Sequence, residues 1–84
     1  MSVRVLFFAS LRDAAGVAEL KLPLTASVSV DELLAELDGR LPSQAMQALT
    51  AENVRIALNQ TLTGPSVKIA PGDEVAFLPP VTGG

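Results

Sequence analysis

Two short apolar runs stand near opposite ends of this chain, Val3 to Ala9 and Glu74 to Leu78, and both have the character of strands inside a sheet. The first is almost continuously apolar from Val5 to Phe8, rich in β-branched and aromatic residues and too short for a helix. Its pattern predicts a central strand buried on both faces. A fold that places both terminal runs side by side must cross from one to the other with everything between. With 84 residues there is room for one small core and no second domain. At 49% hydrophobic and 18% charged, the chain is too apolar to remain disordered.

Between the two runs the sequence supplies few elements. Val17 to Leu24 partly alternates apolar and polar residues and predicts a weaker strand, paired with the first through a broad loop that carries Arg12 and Asp13. Ser29, with Glu32 three residues later, forms a capping-box pattern at the start of a helix. In it Val30, Leu33, Leu34, Leu37 and Leu41 recur at helical spacing, while Asp31, Glu36 and Asp38 look outward. Gly39 fits its stop and Pro42 hinders continuation. Ser43 to Leu49 has the makings of a short second helix, Val54 to Leu58 of a strand, and Asn59-Gln60 of a turn. Pro71-Gly72 suits the centre of a type II turn that leads into the final strand. This order predicts an α+β fold of the β-grasp, ubiquitin-like type: a mixed sheet covered on one face by a helix. The domain would span residues 1–78, with residues 79–84 as an extended tail.

Strand parity adds a functional clue. If Arg4, Arg55 and Glu74 point away from the helix, then Leu6, Phe8, Ala57, Ala76 and Leu78 share that side, because side chains alternate with period two. The helix is already used by Val5, Phe7, Val75 and Phe77 on the other side. An apolar face left open in this way marks a protein partner; the alternative is that residues 43 to 53 fold across it.

Absences bound the chemistry. The chain has no Cys and no His, hence no disulfide, no thiol nucleophile, no zinc site of the usual ligands and no imidazole base. No carboxylate pair stands out as a catalytic dyad and no metal site is expected. The net charge is −3, with basic residues scattered singly, so nucleic-acid binding is disfavoured. No run approaches the roughly 18 apolar residues of a membrane span, and the first residues do not resemble a secretion signal. The expectation is a cytoplasmic protein without membrane partners.

The last residues are Pro79-Pro80-Val81-Thr82-Gly83-Gly84. The prolines stiffen the exit from the sheet and donate no ladder hydrogen bonds. From Val81 to Gly84 an extended chain reaches about 13 Å, enough to enter the active site of another protein. Glycines without Cβ atoms pass a narrow channel and let backbone approach the terminal carboxylate closely.

Three blocks, Val5-Leu6-Phe7-Phe8-Ala9 with Arg12, Leu58-Asn59-Gln60-Thr61-Leu62, and Gly72 through Gly84, together resemble the small, sulfur-carrier subunit of molybdopterin synthase. The resemblance implies that this subunit contributes no catalytic side chain and binds no cofactor. An E1-like adenylyltransferase would use MgATP to convert the Gly84 carboxylate to an acyl adenylate, and a sulfur donor protein would displace AMP to leave a thiocarboxylate. The tail, with Val81, Thr82 and Gly83 leading Gly84, would then enter the large synthase subunit and give its sulfur to cyclic pyranopterin monophosphate, two transfers building the molybdopterin dithiolene. The assembly would hold two small and two large subunits. Phe8, Leu62 and Leu78 would be apolar anchors for the large subunit, and Arg12 would pair with an acidic group of a partner. Three alternatives stay open: a thiamine-pathway sulfur carrier, which shares the Gly-Gly end but normally lacks Pro-Pro-Val-Thr; a protein modifier whose Gly84 forms isopeptide bonds; and an interaction domain with an inert tail.

Overall fold

In chain order the elements are β1 (Ser2–Phe7), α1 (Ser10–Ala15), β2 (Glu19–Pro23), β3 (Val28–Ser29), α2 (Val30–Asp38), α3 (Ser43–Leu49), β4 (Arg55–Leu58), β5 (Thr61–Thr63), β6 (Lys68–Ile69) and β7 (Glu74–Leu78). They come from a computed structural model that describes residues 1–80. Five strands form one mixed sheet in the order β2-β1-β7-β4-β5, and β3 pairs with β6 in a small antiparallel ribbon. The terminal strands β1 and β7 lie side by side and parallel, with Val5 opposite Val75 and Phe7 opposite Phe77. The β-grasp expectation therefore holds: both terminal runs sit inside the sheet.

One face of that sheet makes the core. Val3, Val5, Phe7, Leu22, Val75 and Phe77 pack with Leu11 and Ala15 of α1, Val30, Leu33 and Leu37 of α2, and Ala45 and Leu49 of α3. Phe7 and Phe77 stack at a centroid distance of 6.1 Å, a normal separation for an offset aromatic pair. Each large side chain removed from water here contributes about 1.5–3 kcal/mol, which is what holds so small a fold together.

Several boundaries differ from the sequence reading. The broad loop after β1 is the six-residue helix α1, closed at Gly16 in the left-handed conformation (φ 82°), where the Gly16 N–H donates to the Arg12 carbonyl. This helix shortens the second strand to Glu19–Pro23 and leaves Val17 outside it. β1 itself stops at Phe7, because Ala9 turns the chain with φ 51° and ψ −125°. Its outer face is open rather than buried: Leu6 is only half-buried and Arg4 is exposed. The capping box of α2 is present, the Glu32 N–H donating to Ser29 Oγ and the Ser29 N–H to Glu32 Oε1. Gly39 ends α2 as expected but in a right-handed conformation (φ −80°), so no left-handed cap is used there. The Pro71-Gly72 turn is as expected: Gly72 has φ 95°, and the Asp73 N–H donates to the Ala70 carbonyl. Asn59 and Gln60 both take positive φ in the tight β4–β5 turn. No helix among the described residues is long and apolar enough to cross a membrane.

Candidate docking face and tail exit

The face of the sheet turned away from the helices is built by register. Leu6 stands opposite Ala76, Ala76 opposite Ala57, and Ala57 opposite Leu62. Residues opposite each other in a sheet share a face, so these four form one apolar row across β1, β7, β4 and β5. Three interstrand gaps make that row about 14 Å long. Ala57 and Ala76 are only 8% and 6% exposed, yet neither belongs to the core on the other side. Leu62 stands 55% exposed at the β5 end of the row. The strand pairing settles the face of Leu62, which parity in a three-residue strand after a tight turn leaves ambiguous.

A second row lies one step nearer the end of β7. The Phe8 N–H donates to the Phe77 carbonyl and continues the parallel ladder past the last paired residues of β1. Phe8 thereby stands beside Leu78, which pairs on its other side with Arg55. Phe8 is 44% exposed and Leu78 half-buried. Arg12 is exposed on α1, its N–H donating to the carbonyls of Phe8 and Ala9. The chain leaves β7 at Leu78 and passes through half-buried Pro79 and exposed Pro80. Phe8, Leu62 and Leu78 thus share the outer face, Phe8 and Leu78 at the end where the chain leaves β7 and Leu62 one row back. Arg12 instead sits on α1, the helix that buries Leu11 and Ala15 in the core. Val81, Thr82, Gly83 and Gly84 lie outside the described residues. Of residues 43 to 53, the alternative cover for this face, 43 to 49 form α3 and add Ala45 and Leu49 to the core on the other side, and 50 to 53 are exposed.

At the far end the face turns polar. Arg4 donates to both Glu19 (3.1 Å) and Glu74 (3.2 Å). The hydrogen bond from Arg4 holds the Glu19 carboxyl below its ordinary range, and the same bond raises the Arg4 guanidinium. Asn59, Asp73 and Glu74 form a local clamp: Asn59 Nδ2 donates to Asp73 Oδ1, the Glu74 N–H donates to Asn59 Oδ1, and the Ala70 N–H donates to Asp73 Oδ2. Asn59 therefore shapes its turn and ties it to the one before β7, and Asp73 is engaged in the fold rather than simply facing water. Sequence reasoning noted Arg55 only for its parity and missed α1, whose signal was the Leu11 and Ala15 spacing followed at once by Gly16. Among the described residues no group of three or more His, Cys, Asp or Glu is placed to hold a metal ion.

The sequence and fold both have known counterparts. The model of the ThiS family matches residues 5–84. The molybdopterin synthase sulfur carrier subunit of Chlamydomonas reinhardtii is 38% identical over the whole of both chains. That of Haemophilus influenzae is 37% identical over 98% of this chain and 99% of its own. Among solved structures, the small archaeal modifier protein SAMP1 from Haloferax volcanii superposes with a TM-score of 0.81 at 25% identity, with both chains fully covered. A chain in the complex of subunits 1 and 2 of the molybdopterin-converting factor from Helicobacter pylori superposes with a TM-score of 0.59 at 26% identity, again over the whole of both chains. Matched by the family model over residues 5–84, this chain belongs to the ThiS family of ubiquitin-like proteins, alongside the sulfur carrier subunits of molybdopterin synthase.

Proposed function

We propose that this chain carries sulfur on its C-terminal Gly84 and delivers it as the small subunit of molybdopterin synthase. The observation that supports the reading best is the placement of Phe8 and Leu78: the exposed end of an apolar face stands beside the point where the chain leaves β7. A partner that covers this face receives the tail with its path already aimed, so docking supplies proximity. The Helicobacter pylori relative is found in complex with its subunit 2, and the partner here is the corresponding large subunit, in an assembly of two small and two large chains.

The chemistry needs no side chain of this subunit, in keeping with a sequence that lacks cysteine and histidine. On an E1-like adenylyltransferase the Gly84 carboxylate attacks the α-phosphate of MgATP, releasing pyrophosphate and leaving an acyl adenylate. Hydrosulfide released by a donor protein attacks the acyl carbon and expels AMP, losing its proton to leave the thiocarboxylate. Inside the large subunit the thiocarboxylate sulfur acts as nucleophile toward cyclic pyranopterin monophosphate, and water then cleaves the resulting thioester, leaving the sulfur on the pterin and returning Gly84 as a carboxylate. Two loaded carriers supply the two sulfurs of the dithiolene.

Deletion of Gly84 tests this directly: molybdopterin formation should be abolished while the thermal unfolding curve is unchanged, and full activity of the shortened chain would contradict the proposal. A second reading draws on the likeness to SAMP1, a modifier. Co-expression with the activating enzyme separates the two, because a modifier accumulates as conjugates on lysines and a carrier as a single sulfur-loaded species.

A further inference from the structure

The charges of this chain are not spread evenly over its two sides. The outer face of the sheet carries Arg4, Lys21 and Arg55 against Glu19 and Glu74, since Lys21 pairs with Arg4 and Arg55 with Leu78. On the opposite side α2 exposes Asp31, Glu32, Glu36 and Asp38, with Lys68 near Glu32 and Arg40 just beyond the helix as the neighbouring cations. A chain of net charge −3 therefore shows a slightly positive sheet face backed by a side on which acidic residues outnumber basic ones.

Within the positive face the cations differ in what they meet. Arg4 is engaged by two carboxylates at the end away from the tail exit. Arg55 is exposed and makes no ion pair among the described residues. It stands next to Leu78 in the row Phe8–Leu78–Arg55, so it flanks the apolar anchors at the corner where the chain leaves β7. It also lines both a depression of about 330 Å³ with Leu62, Thr63 and Pro65 and a neighbouring one of about 310 Å³ with Asn53 and Pro80. A side group of the partner can thus approach it from the apolar row or from the tail.

We infer that Arg55 is a docking residue that meets a carboxylate on the partner surface covering this face, and that the face's positive charge steers that partner into place. The inference rests on the docking role proposed above and adds the partner's chemistry: an apolar centre with at least one acidic residue beside the entry for the tail. A charge at the rim of an interface acts chiefly on the association rate and its salt dependence, and steering acts through the field of a whole face rather than through net charge.

The test is association of the purified chain with the large synthase subunit of the same organism, followed by stopped-flow fluorescence at low and high salt. Two variants carry the same change in net charge: Arg55→Glu on the outer face, and Arg40→Glu just beyond α2. Circular dichroism confirms that each is folded. Arg55→Glu should slow association about tenfold at low salt and converge on wild type at high salt, while Arg40→Glu should change the rate less than about twofold. Equal effects of the two variants, or no effect of Arg55→Glu on a wild-type complex that forms, would overturn the inference alone. Failure of the wild-type chains to associate would overturn the docking role and this inference with it. Sedimentation of the chain without its partner adds one more check: a wild-type dimer split by Arg55→Glu would assign the residue to self-association and overturn the inference.

Discussion

Phe7 and Phe8 are adjacent in sequence and opposite in consequence. Phe7 stacks on Phe77 in the core, whereas Phe8, one step on, stands 44% exposed on the outer face. Replacing Phe8 by Asp should leave the unfolding midpoint nearly unchanged and weaken the complex with the large subunit by at least about 30-fold, the loss of about 2 kcal/mol typical of a central aromatic anchor. Calorimetric titration gives the affinity; an unaltered Kd would remove Phe8 from the interface. Ala9 makes a different prediction. Its φ of 51° and ψ of −125° suit glycine, and the strain of a side chain there, about 1–3 kcal/mol, exceeds the entropy cost of introducing glycine. Ala9→Gly should therefore stabilise the fold by about 1 kcal/mol and raise Tm by about 5 °C, readable in a thermal melt. The faces of Phe7 and Phe8 were legible in the sequence because a run of consecutive β residues has a fixed parity. The face of Leu62 was not, since Thr61–Thr63 follows a turn of positive φ that resets the alternation, and only its pairing with Ala57 orients it.

Among the elements, α2 was the most legible, because its capping box and its apolar spacing name the same segment. Ser29 ends β3 and caps α2 at once, so the ribbon and the helix share one residue. Ser29→Ala should lower stability by about 1 kcal/mol in denaturant titration. The Ser29 N–H, followed by its hydroxyl, holds the Glu32 carboxyl below its ordinary value of 4.5, and Arg4 does the same for Glu19. Both groups bind protons more weakly when folded, so their contribution is complete above the ordinary glutamate range and is lost as pH falls through the depressed values. Stability should decline on the acid side of about pH 4.5, and Glu32→Gln should flatten that decline, as unfolding followed at stepped pH will show. An unchanged acid limb in Glu32→Gln would mean that the box contributes nothing through its charge. The helix α1 escaped sequence reading for a physical reason. Six residues give too few turns for periodicity to register, and it is held by Leu11 and Ala15 in the core and by Gly16 at its end rather than by propensity.

At the scale of the whole molecule, the parallel pairing of β1 with β7 brings the two ends of the fold together. It sets Phe8 beside Leu78 and so joins the apolar outer face to the exit of the chain. The β-grasp order was legible because both terminal runs had the composition of interior strands. The small ribbon of β3 and β6 was not, since two-residue strands carry no alternation of their own. What the fold presents is a covered core on one side and an apolar sheet face on the other, with the chemistry assigned to a tail that needs no side chain to react. Intact-mass measurement of the chain co-expressed with the proposed E1-like activating enzyme and sulfur donor tests that assignment most directly. The expected result is the exchange of one oxygen for one sulfur, located at Gly84 by fragmentation and absent from a chain lacking that residue. A chain that stays a free acid beside active partners, or that appears joined to lysines instead, would contradict it.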